Sequence, residues 1–233
     1  MAIPSLATLS RFKVNRAGSE GIRQSLYDNM LYPTAGQNQL NFFALPQGQG
    51  VATGLGAVVG SAKTIADTNL DSAGMLPAGK SFLITSVEVP IYAGLSAAVN
   101  TFTPAVPAVF AAAAAVAVGA QINDIATLYL SGSLKLFIGS KTYLEEAPLL
   151  RFPPKTQLTF DNAIASNSAT VGEVGAFSAK ISGRPYMVEP PIYLENNQNF
   201  VVQLNWPGVV ATPSGFNARV GIILDGYLYR NSQ

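Results

Sequence analysis

The sequence predicts an all-β, antiparallel chain, and three observations carry that reading. Short runs rich in β-branched and aromatic residues recur from Gln39 onward, several with period-two alternation. Gly, Pro, Asn and Ser separate these runs, as tight connections require. Helical periodicity is confined to Ala108–Val118, Ile122–Leu130 and part of the first 36 residues, too little for alternating strand–helix units.

In chain order, residues 1–36 read as an arm, extended or partly helical. Its apolar residues keep no sustained period, and Arg11, Lys13, Arg16 and Arg23 outnumber Glu20 and Asp28. Strands are expected at Gln39–Leu45 and, more weakly, near Ala57–Ile65. In Ser81–Tyr92 the alternation places Leu83, Thr85, Val87, Val89 and Ile91 on one face, with Ser86, Glu88 and Pro90 on the other. Pro90 marks an edge or a strand end. Leu134, Leu136 and Ile138 share a face opposite Lys135 and Phe137, and further strands are expected at Thr156–Asp161 and Val174–Ser182. Phe200, Val202, Leu204 and Trp206 line one face of the next run, which Pro207-Gly208 stops. In the last run Val220, Ile222, Leu224 and Leu228 share a face, with Asp225-Gly226 as a turn or bulge. About eight strands result, which suits a sandwich, jelly roll or barrel in one domain over 37–233.

No charge falls between Glu88 and Asp124, and Ala105–Ala120 is apolar throughout. At about 16 residues, dominated by Ala and entered through Pro104 and Pro107, this core falls short of the roughly 20 strongly apolar residues of a membrane span. It reads as a helix or loop packed closely on a neighbour, within an insertion at about 94–131. The first ten residues lack the basic and apolar blocks of a secretory signal.

Composition narrows the chemistry. Histidine and cysteine are both absent, which removes imidazole bases, thiol nucleophiles, disulfides and the usual zinc ligands. Only 12% of residues are charged, against roughly 25% in an ordinary domain, so the surface suits being covered. The net charge of +1 gives no overall field for nucleic acid, and any basic function is local.

Gly74-Met-Leu-Pro-Ala-Gly79-Lys80-Ser81 matches the phosphate-loop pattern literally. Such a loop needs a buried strand before it and a helix starting at the Lys, so that helix amides point at the phosphates. Here the segment before it is polar and the segment after it is strand-like, so a turn entering a strand is expected. Asp225 after Val220-Gly-Ile-Ile-Leu resembles a magnesium-binding acid only superficially, and the glycines from Gly48 to Gly60 read as a loop. Glu145, Glu146, Glu189 and Glu195 read as solvated loop carboxylates, the last two flanking a Pro-Pro turn. Tyr186, Tyr193, Trp206, Tyr227 and Tyr229 are either a carbohydrate-stacking surface or core and interface residues. The basic residues of the arm would touch nucleic acid or an anionic membrane, or simply be solvated. No catalytic, cofactor-binding or metal-binding residue is expected.

Three segments carry a family likeness: Leu76–Val89, Pro191–Pro207 and Val220–Arg230. In texture they resemble the single jelly-roll coat proteins of tailless icosahedral, often membrane-containing bacteriophages. The resemblance implies a single jelly-roll-like antiparallel β-sandwich with an N-terminal arm and an Ala-rich insertion. It also implies a non-enzymatic capsid protein, major or minor, that assembles with copies of itself and with other capsid or vertex proteins. The arm would face the viral membrane or genome, and the location would be the virion, assembled in the host cytoplasm. A carbohydrate- or receptor-binding jelly roll is the alternative, and a phosphate-loop hydrolase a third.

Overall fold

A computed structural model describes residues 19–53, 60–95, 123–155, 161–164, 175–178 and 183–231. The strands are β1 (Ser19–Tyr32), β2 (Gln39–Phe42), β3 (Lys80–Glu88), β4 (Ile91–Leu95), β5 (Ser133–Ile138), β6 (Lys141–Glu146), β7 (Asp161–Ile164), β8 (Gly175–Ser178), β9 (Tyr186–Leu194), β10 (Phe200–Asn205) and β11 (Asn217–Asn231). One helix, α1, covers 123–131, and a 3₁₀ turn covers Leu149–Arg151.

The strands form two antiparallel sheets. Sheet A runs β1-β11-β3-β9, with β4 continuing the β3 position alongside β11; sheet B runs β2-β10-β5-β6; β7 and β8 form a separate hairpin. The pairings are nested along the chain: β1 with β11, β2 with β10, β3 with β9 and β5 with β6. The chain is therefore an all-β sandwich.

One core fills the space between the sheets. Leu134, Leu136 and Ile138 of β5 meet Phe200, Val202 and Leu204 of β10, and across from them lie Val220, Ile222 and Leu224 of β11, all buried. These are the faces that alternation predicts. Trp206, just past β10, is also buried; its indole N–H donates to the Leu128 carbonyl at 3.2 Å, and its ring meets Tyr32 edge-on at 4.9 Å. Gly132 lets α1 come this close, because a Cβ there would lie 2.5 Å from the Leu149 side chain.

Several expectations are corrected. Residues 19–32 are not arm but β1, paired through fourteen positions with β11. Alternation is present there, but the row that packs inward through Leu26, Met30 and Tyr32 also holds the buried Asp28 and runs out to the exposed Gln24, so it does not look apolar. In β3 an extra residue, Thr85, stands opposite the Asp225–Gly226 step and reverses the faces. Phe82, Ile84 and Val87 point to the core, and Leu83, Ser86 and Glu88 point to the outer face. Gly226 is required at this bulge, since a Cβ would lie 1.8 Å from the Leu83 carbonyl oxygen. Asp225-Gly226 is thus a bulge inside one continuous strand. Residues 60–65 are loop, and the Pro190-Pro191 step lies within β9, which crosses it by looping four residues, Val188–Pro191, out of register with β3. Of the expected strand 156–161 only Asp161 is described, at the start of β7. Residues 57–59, the helix at 108–118 and most of the insertion fall outside the described residues.

The outer faces of the two sheets differ. Sheet A is covered by the chain's own loops: Arg219 reaches the Ala66 carbonyl at 2.6 Å and Thr53 Oγ1 at 3.3 Å, and Lys155 pairs with Glu88 at 3.0 Å and with Asp225. The outer face of sheet B is mixed and, among the described residues, half-buried to exposed: Gln39, Asn41, Gln203 and the Lys135–Glu145 pair share it with Phe137 and Val201.

Candidate functional site

The phosphate-loop match comes first, because it is the one motif with a named chemistry. Lys80 is the first residue of β3, entered by a turn in which its N–H donates to the Pro77 carbonyl. Its ammonium pairs with Asp71 at 3.3 Å, both side chains well exposed. No helix follows, so the amide cradle of a phosphate loop is not formed there.

Of the basic residues of the expected arm, Arg11, Lys13 and Arg16 lie outside the described residues, and Arg23 projects from β1 on the outer face of sheet A, 4.0 Å from Asp225. The expected aromatic surface is brought together in part. Tyr227 and Tyr229 pack with Leu83 on the outer face of sheet A, and Tyr193 of β9 packs against them, whereas Trp206 is core and Tyr186 lies further along β9.

What the fold does assemble is a groove of about 530 Å³ along the open side of the sandwich, between β6 at the edge of sheet B and β9 at the edge of sheet A. Tyr143 from β6 and Tyr186 and Tyr193 from β9 give it three phenol rings, with Leu144, Val188 and Ile192 between them. Glu189, Glu195 and Gln198 supply its polar groups, and among the described residues no Lys or Arg lines it. The Val188–Pro191 loop-out makes room for it, and the prolines leave that edge poor in free N–H groups.

Next to the lining residue Tyr186, the Arg151 guanidinium lies 5.5 Å from its ring centroid and pairs with Glu146, to which the Tyr186 hydroxyl also donates at 3.0 Å. Phe152 packs on Tyr186 at 4.7 Å. Burial and then the Glu146 carboxylate push the Tyr186 hydroxyl above its usual range.

A second polar cluster holds the long β2–β3 connection. Asp28 is fully buried and pairs with the buried Lys63 at 2.6 Å, while the Phe43 N–H donates to its other oxygen at 2.7 Å. Burial pushes the Asp28 carboxyl up, against the lowering by Lys63 and its hydrogen bonds. Phe43 has φ +66°, a left-handed conformation rare for a bulky side chain, and is held there by this bond and by the Phe200 ring at 5.3 Å. Asp67, also buried, accepts from the Thr53 N–H at 2.7 Å and the Thr64 N–H at 3.0 Å, with Arg219 at 3.9 Å. Burial alone would raise its pKa, but these bonds and Arg219 hold it below the usual carboxylate range. Both carboxylates tie the connection to the sheet.

Among the described residues no helix is long and apolar enough to cross a membrane, and no group of three acidic side chains is placed to hold a metal ion. Comparison with protein families, with curated proteins and with solved structures finds no match.

Proposed function

We propose that this chain is a structural capsid protein, a single jelly-roll sandwich that self-assembles into an icosahedral shell. The observation that carries the reading is the nested strand order. With β3 and β4 taken as one interrupted strand and the β7–β8 hairpin set aside, eight strands remain. The first pairs with the eighth, the second with the seventh, the third with the sixth and the fourth with the fifth. A single antiparallel ribbon wound round a core has that order, and it supports a jelly roll, an architecture used by viral capsid and lectin domains.

Fold alone does not define function, so the surface must agree with it. Leu130, Leu150 and Val209 stand 62%, 45% and 68% exposed at the end of the sandwich where α1, the 3₁₀ turn and the β10–β11 loop meet. Their proximity there follows from the Trp206–Leu128 bond and from the Leu149 N–H donating to Gly132. Together with the low charge of the chain, such a grouping favours a surface that other subunits cover.

Sizing the full-length protein by multi-angle light scattering tests this. The proposal expects large, regular particles or defined oligomers at micromolar concentration. A monomer that persists on concentration would overturn it, and a small oligomer that binds glycans would replace it with the carbohydrate-binding alternative.

A further inference from the structure

The charges of the chain are segregated. Residues 1–18 hold Arg11, Lys13 and Arg16 and no Asp or Glu, which leaves 11 basic against 13 acidic residues in 19–233. The groove between β6 and β9 has the opposite character, with Glu189 and Glu195 exposed at its lining and no Lys or Arg among its described lining residues. Beside the groove, one of its lining rings already meets a cation, for the Arg151 guanidinium lies 5.5 Å from the Tyr186 centroid and pairs with Glu146. Tyr143, 49% exposed, and the two glutamates offer the same pairing of ring and carboxylate to a further cation.

We propose that this groove receives the basic segment Arg11–Arg16 of a second copy of the chain. The proposal rests on the self-assembly reading and gives it a specific joint. A neighbour's segment fits better than the chain's own. Ser19, where the segment joins the fold, begins β1 at one edge of sheet A, and the groove lies beyond β9 at the opposite edge, about 14 Å away across three strand spacings. At that level the outer face between them is filled by Leu83, Tyr227 and Tyr229. From a subunit alongside, a segment enters the open side directly, and Arg11–Gly18 spans up to about 28 Å when extended.

Photo-crosslinking of the full-length chain tests this. Phe12→p-benzoylphenylalanine places a near-isosteric photoprobe between Arg11 and Lys13. Mixing isotopically heavy and light chains before illumination separates inter-chain from intra-chain products by mass. The expected result is inter-chain crosslinks to residues 141–146 and 186–198. Their yield should fall about fivefold or more in Glu189→Gln/Glu195→Gln, as for the loss of two exposed ion pairs, and should fall again in high salt. The two glutamates are exposed, so the variant should fold, which an unchanged Trp206 emission spectrum verifies. Crosslinks that are intra-chain, that fall elsewhere or that ignore the Gln substitutions overturn the inference. If light scattering still shows particles in that case, the shell reading stands without this joint; if neither particles nor inter-chain crosslinks form, both fail.

Discussion

Replacing Lys63 by Met should destabilise the fold by about 3–5 kcal/mol, the cost of leaving a buried carboxylate without its partner. The magnitude follows from the geometry. The Lys63 ammonium lies 2.6 Å from Asp28 Oδ1, and the two side chains are 2% and 0% exposed. At an effective dielectric of about 20 their attraction is about 6 kcal/mol, while withdrawing the two ions from water costs several kcal/mol each. The intact pair is therefore near break-even, and Lys63→Met forfeits the attraction while Asp28 stays buried. The double variant Asp28→Asn/Lys63→Met removes both charges yet keeps an acceptor for the Phe43 N–H, so it should recover most of the loss. Trp206 is the single tryptophan and is buried, so urea unfolding of dilute subunits followed by its emission gives each free energy. A Lys63→Met cost under about 1 kcal/mol, or a double variant no better than the single one, would refute this reasoning.

Trp206→Ala should cost about 3–5 kcal/mol in chemical denaturation, through the cavity left beside Tyr32 and the unpaired Leu128 carbonyl; a near-neutral result would place Trp206 outside the core. Gly226→Ala should fail to give soluble protein or lose at least about 3 kcal/mol, because its Cβ collides with main chain and not with a movable side chain; wild-type stability would contradict the β3 bulge. Asp67 is held below its ordinary range, so its contribution to stability is fully present above about pH 4 and is lost as pH falls through its lowered folded value. Asp67→Asn should abolish that part of the acid slope, and identical slopes in variant and parent between pH 5 and 2 would count against the assignment. Lys80→Ala should change stability by less than about 0.5 kcal/mol, since its ion pair is exposed; micromolar ATP binding that this substitution removes would revive the phosphate-loop reading.

The legible parts of the fold were strands with one dry and one wet face. β5 and β10 read directly from Leu134, Leu136 and Ile138 and from Phe200, Val202 and Leu204, because full burial alternates strictly with half-burial along both strands. Illegibility has several physical causes. β1 hid behind the inward Asp28, whose partner Lys63 is 35 residues away and gives no local pattern. β6 is an edge strand exposed along most of its length, so no alternation marks it. Pro190-Pro191 signals a turn in any local reading, yet β9 absorbs it by looping out of register. The reversal of faces at Thr85 follows from the bulge opposite Gly226, which only pairing with β11 reveals. The groove was half visible: Tyr186 and Tyr193 stood out as aromatic, but Tyr143 joins them only because two sheet edges meet.

Electron microscopy of the purified full-length protein tests most directly whether copies of this chain close into a shell. Hollow, closed particles of uniform diameter that dissociate into sandwich-sized subunits are expected. Fields showing only dispersed single subunits, or irregular aggregates without a repeating spacing, would contradict the shell reading.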